Sequence, residues 1–152
     1  MKKLITVIIA LLLTVLSAAC SKGKNAVEIS SENSVFDWGI TLTAENVTAE
    51  GLTLVCAQAG GDVSGELNIG EDYFLEVKTE NGWEKVPTVL EEYAWNSIAY
   101  IVNMNDETRW EINWNWLYGA LESGNYRIGK EFMNFRAPGD YDKCVFYAEF
   151  EV

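Results

Sequence analysis

The chain has no histidine, only two prolines, and 11 basic side chains against 23 acidic ones in its 152 residues. Without histidine it lacks both the commonest general base and the commonest zinc ligand. Neither a Gly-x-Ser-x-Gly turn nor a glycine-rich phosphate loop occurs. The shortage of lysine and arginine removes the basic stripe that binding to a polyanion needs, so nucleic acids, anionic headgroups and wall teichoic acids are poor candidate ligands. Beyond residue 16 no apolar run is long enough to cross a bilayer, and no long segment has a helical period. Glu91 with Glu92, Asp106 with Glu107 and Asp140 with Asp142 read as solvated loop acids, since none has the spacing of a calcium loop. No catalytic residue, metal site or cofactor is therefore expected, and the chain is not expected to be an enzyme.

What is present begins at the amino terminus. Lys2 and Lys3 precede an apolar run from Leu4 to Leu16, followed by the small residues Ser17, Ala18 and Ala19 and then Cys20. A short apolar run between a basic start and small residues is the pattern of an export signal. The cysteine placed directly after the small residues resembles a bacterial lipoprotein signal, which implies cleavage after residue 19, lipid on Cys20 and attachment to the membrane from its outer, extracytoplasmic side. Two or more acyl chains, each methylene adding about 0.8 kcal/mol, make such attachment effectively permanent. The mature chain would carry nine basic against 23 acidic side chains, a net charge of −14. Residues 20–34, rich in Ser, Asn and Lys, read as the lipidated cysteine and a tether, whose span as a flexible coil is roughly 20 Å.

Residues 35–152 read as one all-β domain, with short apolar runs punctuated by Gly, Asn and Asp. Phe36, Trp38, Ile40 and Leu42 share one parity, as do Leu52, Leu54 and Cys56, which is the period of half-buried strands. Asn81-Gly82 between Tyr73–Thr79 and Trp83–Val86 predicts a hairpin, because both residues tolerate positive φ. Further strands are expected at Ile98–Val102, Arg109–Trp116, Asn125–Phe132 and Lys143–Val152, with one helical turn within Leu117–Glu122. Seven or eight strands spaced in this way suit a β-sandwich.

In Leu121-Glu122-Ser123-Gly124-Asn125-Tyr126, a glycine turn leads to a tyrosine at the start of a late strand. It resembles the tyrosine corner of immunoglobulin-like sandwiches, and the second cysteine of an antibody domain would then fall at Ile128, so that disulfide is absent. With the WEINWNWLYG run from Trp110 to Gly119, the NGWEKVP turn and LESGNYRIGKEF from Leu121 to Phe132, the domain resembles the bacterial Ig-like domains of Firmicutes surface lipoproteins. The resemblance implies an immunoglobulin-like β-sandwich without enzymatic activity, and it supplies no site residues.

Cys56 and Cys144 both fall on apolar parities, so they could form a disulfide in an exported protein or serve as two buried thiols. Trp110, Ile112, Trp114, Trp116 and Tyr118 share one parity and could display a row of rings or fill the core. The alternating Glu and Asn favour core for Trp110 and Ile112. Trp95, in a loop-like stretch, and Trp116 and Tyr118, at the end of the pattern, are the candidate ligand-binding aromatics. The expected partners are the membrane through Cys20 and either a protein, basic in character, or a neutral glycan; no nucleic acid and a monomer are expected.

Overall fold

The computed structural model describes residues 36–152; the expected signal, Cys20 and the tether lie outside the described residues. Nine strands and one short helix follow in order: β1 Ile40–Thr48, β2 Gly51–Gln58, β3 Glu66–Ile69, β4 Phe74–Thr79, β5 Gly82–Lys85, β6 Tyr100–Ile101, β7 Glu107–Asn113, α1 Asn115–Tyr118, β8 Asn125–Ala137 and β9 Asp140–Glu151. They form two antiparallel sheets, the immunoglobulin-like sandwich expected from the alternating pattern. The count exceeds the expected seven or eight because of β3, whose Leu67, Asn68 and Ile69 are buried in succession and so lack the alternation that marks a strand in sequence.

The small sheet has the order β1-β2-β7. In the large sheet β8 is the spine: β9 pairs along one edge, while β3 and β4 share the other, β3 opposite residues 132–135 and β4 opposite residues 126–129. β6 pairs β3 and β5 pairs β4, so the large sheet is four strand positions wide. The small sheet, with three positions, lays β1 beside β9.

Trp38, Leu54, Leu75, Trp114, Leu117, Ile128 and Phe132 are almost wholly buried between the sheets. Phe150 stacks between Trp114 and Tyr126 at ring distances of 5.4 and 5.8 Å, and the Trp114 indole donates to the Ala49 carbonyl at 2.9 Å. Each such ring removes 150–250 Å² from water, on the order of 4–6 kcal/mol at about 25 cal/mol/Å². The Tyr126 hydroxyl donates to the Glu122 carbonyl at 3.0 Å, which is the tyrosine-corner bond. Gly129 lies under the Phe74 ring, where a Cβ would meet ring carbon at 2.3 Å, so only glycine admits that side chain.

Between β3 and β4 the chain leaves the edge of β8. The gap is filled by Lys130, 4 % exposed, whose ammonium donates to the carbonyls of Gly70 at 2.7 Å and Asp72 at 2.8 Å. These bonds satisfy main-chain groups that would otherwise be left without a partner where the ladder is interrupted.

Candidate functional site

The row of rings expected from Trp110 to Tyr118 is broken at Asn113. Its side-chain oxygen accepts the Asn115 N–H at 3.0 Å, a local turn that stops β7, and the Leu117 and Tyr118 N–H groups then bond to the Trp114 carbonyl. The turn reverses the pattern's outcome residue by residue. Trp110 and Ile112 stay half-buried against the core as expected, Trp114 becomes fully buried, and Trp116 emerges 45 % exposed. Tyr118 is 8 % exposed, which corrects the expectation that it could be a displayed ring.

Trp95 does lie in a loop, yet it is half-buried rather than free. Its ring meets Trp116 edge to face at 5.4 Å, Tyr73 at 4.9 Å and Tyr93 at 6.1 Å. Tyr93 also meets Trp116 at 6.3 Å, and Tyr118 lies beneath, 6.4 Å from Tyr73. The structure thus gathers all three sequence-predicted aromatics into one cluster. Tyr93 and Tyr73 were not anticipated; the two-residue spacing of Tyr93 and Trp95 was the available sign that both face one way from an extended loop.

Beside this cluster a cleft of about 310 Å³ opens between the sheets. One wall is the run Trp110–Asn113 of β7, the other is Ile69, Gly70 and Glu71 with Tyr100, and Trp95, Trp116 and Tyr73 close its end. Glu71 is fixed by two donors, the Asn96 amide at 2.7 Å and the Tyr100 hydroxyl at 3.1 Å, and the latter bond raises the Tyr100 pKa. Glu111 accepts from the Thr53 hydroxyl at 2.9 Å. Burial pushes the Tyr73 phenol well above its usual range, while its hydroxyl donates to the Asn113 carbonyl at 3.3 Å. Lys130 lines the floor, and desolvation lowers its pKa to about 8.

Two exposed apolar side chains, Tyr100 and Trp116, line the cleft. Among the described residues nine large apolar side chains are exposed, and all except Tyr141 belong either to residues 86–106, the connection from β5 to β7, or to Trp116. Two carboxylates, Glu71 and Glu111, and one ammonium, Lys130, line the cleft. Arg109 is held by Glu45 and Glu107, Arg136 by Asp140 and Asp142, Lys143 by Glu131, and Arg127 by Glu76.

Cys56 and Cys144 are both free thiols. Cys56 sits in β2 and Cys144 in β9, on opposite sheets. Burial pushes the Cys56 pKa up to about 12 and also raises that of Cys144. Among the described residues no helix is long and apolar enough to cross a membrane.

A family model described as Bacterial Ig-like domain matches residues 31–151. No curated protein and no solved structure matches the chain. Because the match spans both sheets from the approach to β1 through the end of β9, the chain belongs to the bacterial Ig-like domain family.

Proposed function

We propose that the protein is an exported lipoprotein, anchored through Cys20, whose Ig-like domain is a non-catalytic protein-interaction module at the cell surface. The observation that carries the interaction reading is the gathering of exposed apolar side chains on one connection and one adjoining tryptophan. Within it Tyr93, Tyr100 and Trp116 are grouped around the cleft, and a monomeric soluble domain seldom leaves large apolar side chains grouped in this way unless a partner covers them. Its long connection between β5 and β7 is the kind of segment that carries function on a rigid sandwich. The partner is expected to be basic, because two carboxylates, Glu71 and Glu111, line the cleft against one ammonium, Lys130, and Arg109 is already paired with Glu45 and Glu107. The alternative, a neutral glycan stacked on the rings, is less well served. Trp95, Trp116 and Tyr93 stand at 78–88° to one another and so offer no flat platform for successive sugar faces.

Two measurements test this reading on intact cells. Acyl labelling should be incorporated by the native chain and lost, with release from the membrane fraction, in Cys20→Ala. A photo-reactive phenylalanine analogue at position 116 should give a discrete protein adduct, and the same group at exposed Thr41 of β1 should not. Equal adducts from both positions, or none, would reject the interaction surface.

A further inference from the structure

We infer that the free edge of β7 is a docking site for an extended, basic segment of a partner protein, which adds to the small sheet as a fourth strand. This inference deepens the interaction reading above and rests on it.

The sheets differ in width. With β1 beside β9, β2 and β7 cover the next two positions of the large sheet, and no described strand of the small sheet covers β6 and β5. The cleft lies on that uncovered side, bounded by β7, Tyr100 of β6 and the ring cluster.

The orientation of the β7 backbone follows from its two ends. The Asp106 carbonyl accepts from the Gln58 N–H at 3.0 Å, and the Trp114 N–H donates to the Glu50 carbonyl at 2.9 Å, so both turn their polar groups towards β2. Main-chain direction alternates along a strand, so Glu107, Arg109, Glu111 and Asn113 turn theirs away from β2. The Asn113 carbonyl confirms the parity by accepting from the Tyr73 hydroxyl. Arg109 and Glu111 therefore present a donor and an acceptor each along the open edge, Glu111 within the cleft and Arg109 beyond its end, where no described strand pairs with them.

Exposed edges are usually blunted by a bulge, a proline, short length, charged side chains or a covering element, and of these β7 carries only the charges of Glu107, Arg109 and Glu111. β1, the other edge of the same sheet, has a bulge between Glu45 and Thr48 and lies beside β9. β7 runs seven residues with no proline and pairs β2 without a register shift. Its side chains define the occupant. Glu107 and Glu111 alternate on the outer face, Trp110 and Ile112 face inward, and Glu71 is held at the opposite lip. The two cations nearby are engaged, Arg109 by carboxylates and Lys130 by carbonyls. A strand alternating basic with apolar residues would set a charge against Glu111, whose carboxylate pairs with no described cation, and its apolar side chains towards Trp95, Trp116 and Tyr100. Main-chain bonds would supply affinity and this alternation specificity.

The test uses a synthetic peptide of alternating lysine and valine, a glutamate–valine peptide, and the lysine–valine peptide N-methylated along its backbone, each added to the full chain. Amide hydrogen exchange at Arg109 and Glu111 should be fast in the free protein and slow by at least about tenfold with the lysine–valine peptide, as strand pairing demands. The other two peptides should give no protection, and added salt should weaken binding. Glu111→Pro should abolish the complex and Glu111→Gln only weaken it; proline is compatible with the fold there because the Glu111 N–H faces away from β2. Equal binding of the methylated peptide, or perturbation at Trp116 with Arg109 and Glu111 unchanged, would overturn strand addition while leaving the interaction surface intact. Failure of the lysine–valine peptide to bind, or equal binding of the glutamate–valine peptide, would overturn the basic strand as occupant, whereas adducts from position 116 report on the surface independently.

Discussion

On one side of the sandwich β1 runs beside β9 and bears a bulge, and the buried tryptophan of that end, Trp38, packs at 5.2 Å on Phe36 and 6.0 Å on Phe146. On the other side β7 runs regularly with no described strand beyond it, and Tyr73, Tyr93, Trp95 and Trp116 pack largely on one another. Both sides are rich in rings; the first exposes Tyr141 singly near the start of β9, whereas the second exposes Tyr93 and Trp116 in contact with each other. Aromatic content alone therefore does not separate core from surface in this family member. The separation comes from which sheet positions are occupied, and an unoccupied position beside exposed rings is what a binding module requires.

The comparison can be broken most strongly from the core. Phe132, fully buried and edge-on to Phe146 at 5.2 Å, holds β8 against the closed side. Phe132→Ala should lower the unfolding free energy by about 3–5 kcal/mol in denaturant titration, since the surrounding sheets cannot collapse into the void. Lys130, on the open side, should reveal itself through pH. Its folded-state pKa is about 8 against the ordinary 10.5, so between these values the unfolded chain binds more protons and stability must rise with pH. Relative to Lys130→Met, a control that cancels the opposing titrations of Cys56 and Tyr73, the native chain should gain about 1–3 kcal/mol across that window. A flat difference would mean that the lysine is not desolvated.

Tyr126→Phe removes only the bond to the Glu122 carbonyl and should cost about 0.5–1.5 kcal/mol, read as a lowered denaturant midpoint with an unchanged slope. The smallest effect should come from the open side itself. Trp116→Ala should cost below about 1 kcal/mol in denaturant titration, because the ring is half in water already.

Much of this architecture was legible in the residue pattern. Period-two runs placed β1, β2 and β9, β2 through its alternating residue types even though Thr53 and Val55 are buried as well, and Asn81-Gly82 placed the β4–β5 turn, where Gly82 takes positive φ. The Tyr126 corner was legible for the same local reason. β3 was not, since its successive residues are all buried. The cleft was visible only in part. Trp95 and Trp116 were identifiable as unplaced rings, but their meeting depends on the turn at Asn113 and on the path of residues 86–106, both tertiary outcomes. Glu71 and Tyr100 come together from residues 29 apart, a pairing that no local pattern encodes. The placement of Cys56 and Cys144 in opposite sheets likewise depended on topology rather than parity.

The central claim is that the open side presents the Trp116 ring to solvent while Trp38 and Trp114 serve the core. Acrylamide quenching of tryptophan fluorescence tests it most directly, because a neutral quencher is indifferent to the acidic surface. The account predicts that a distinct fraction of the emission is quenched and that Trp116→Phe removes most of that fraction, with Trp38 and Trp114 protected throughout. Quenching that is unchanged in Trp116→Phe, or that reaches the emission of Trp38 and Trp114, would contradict it.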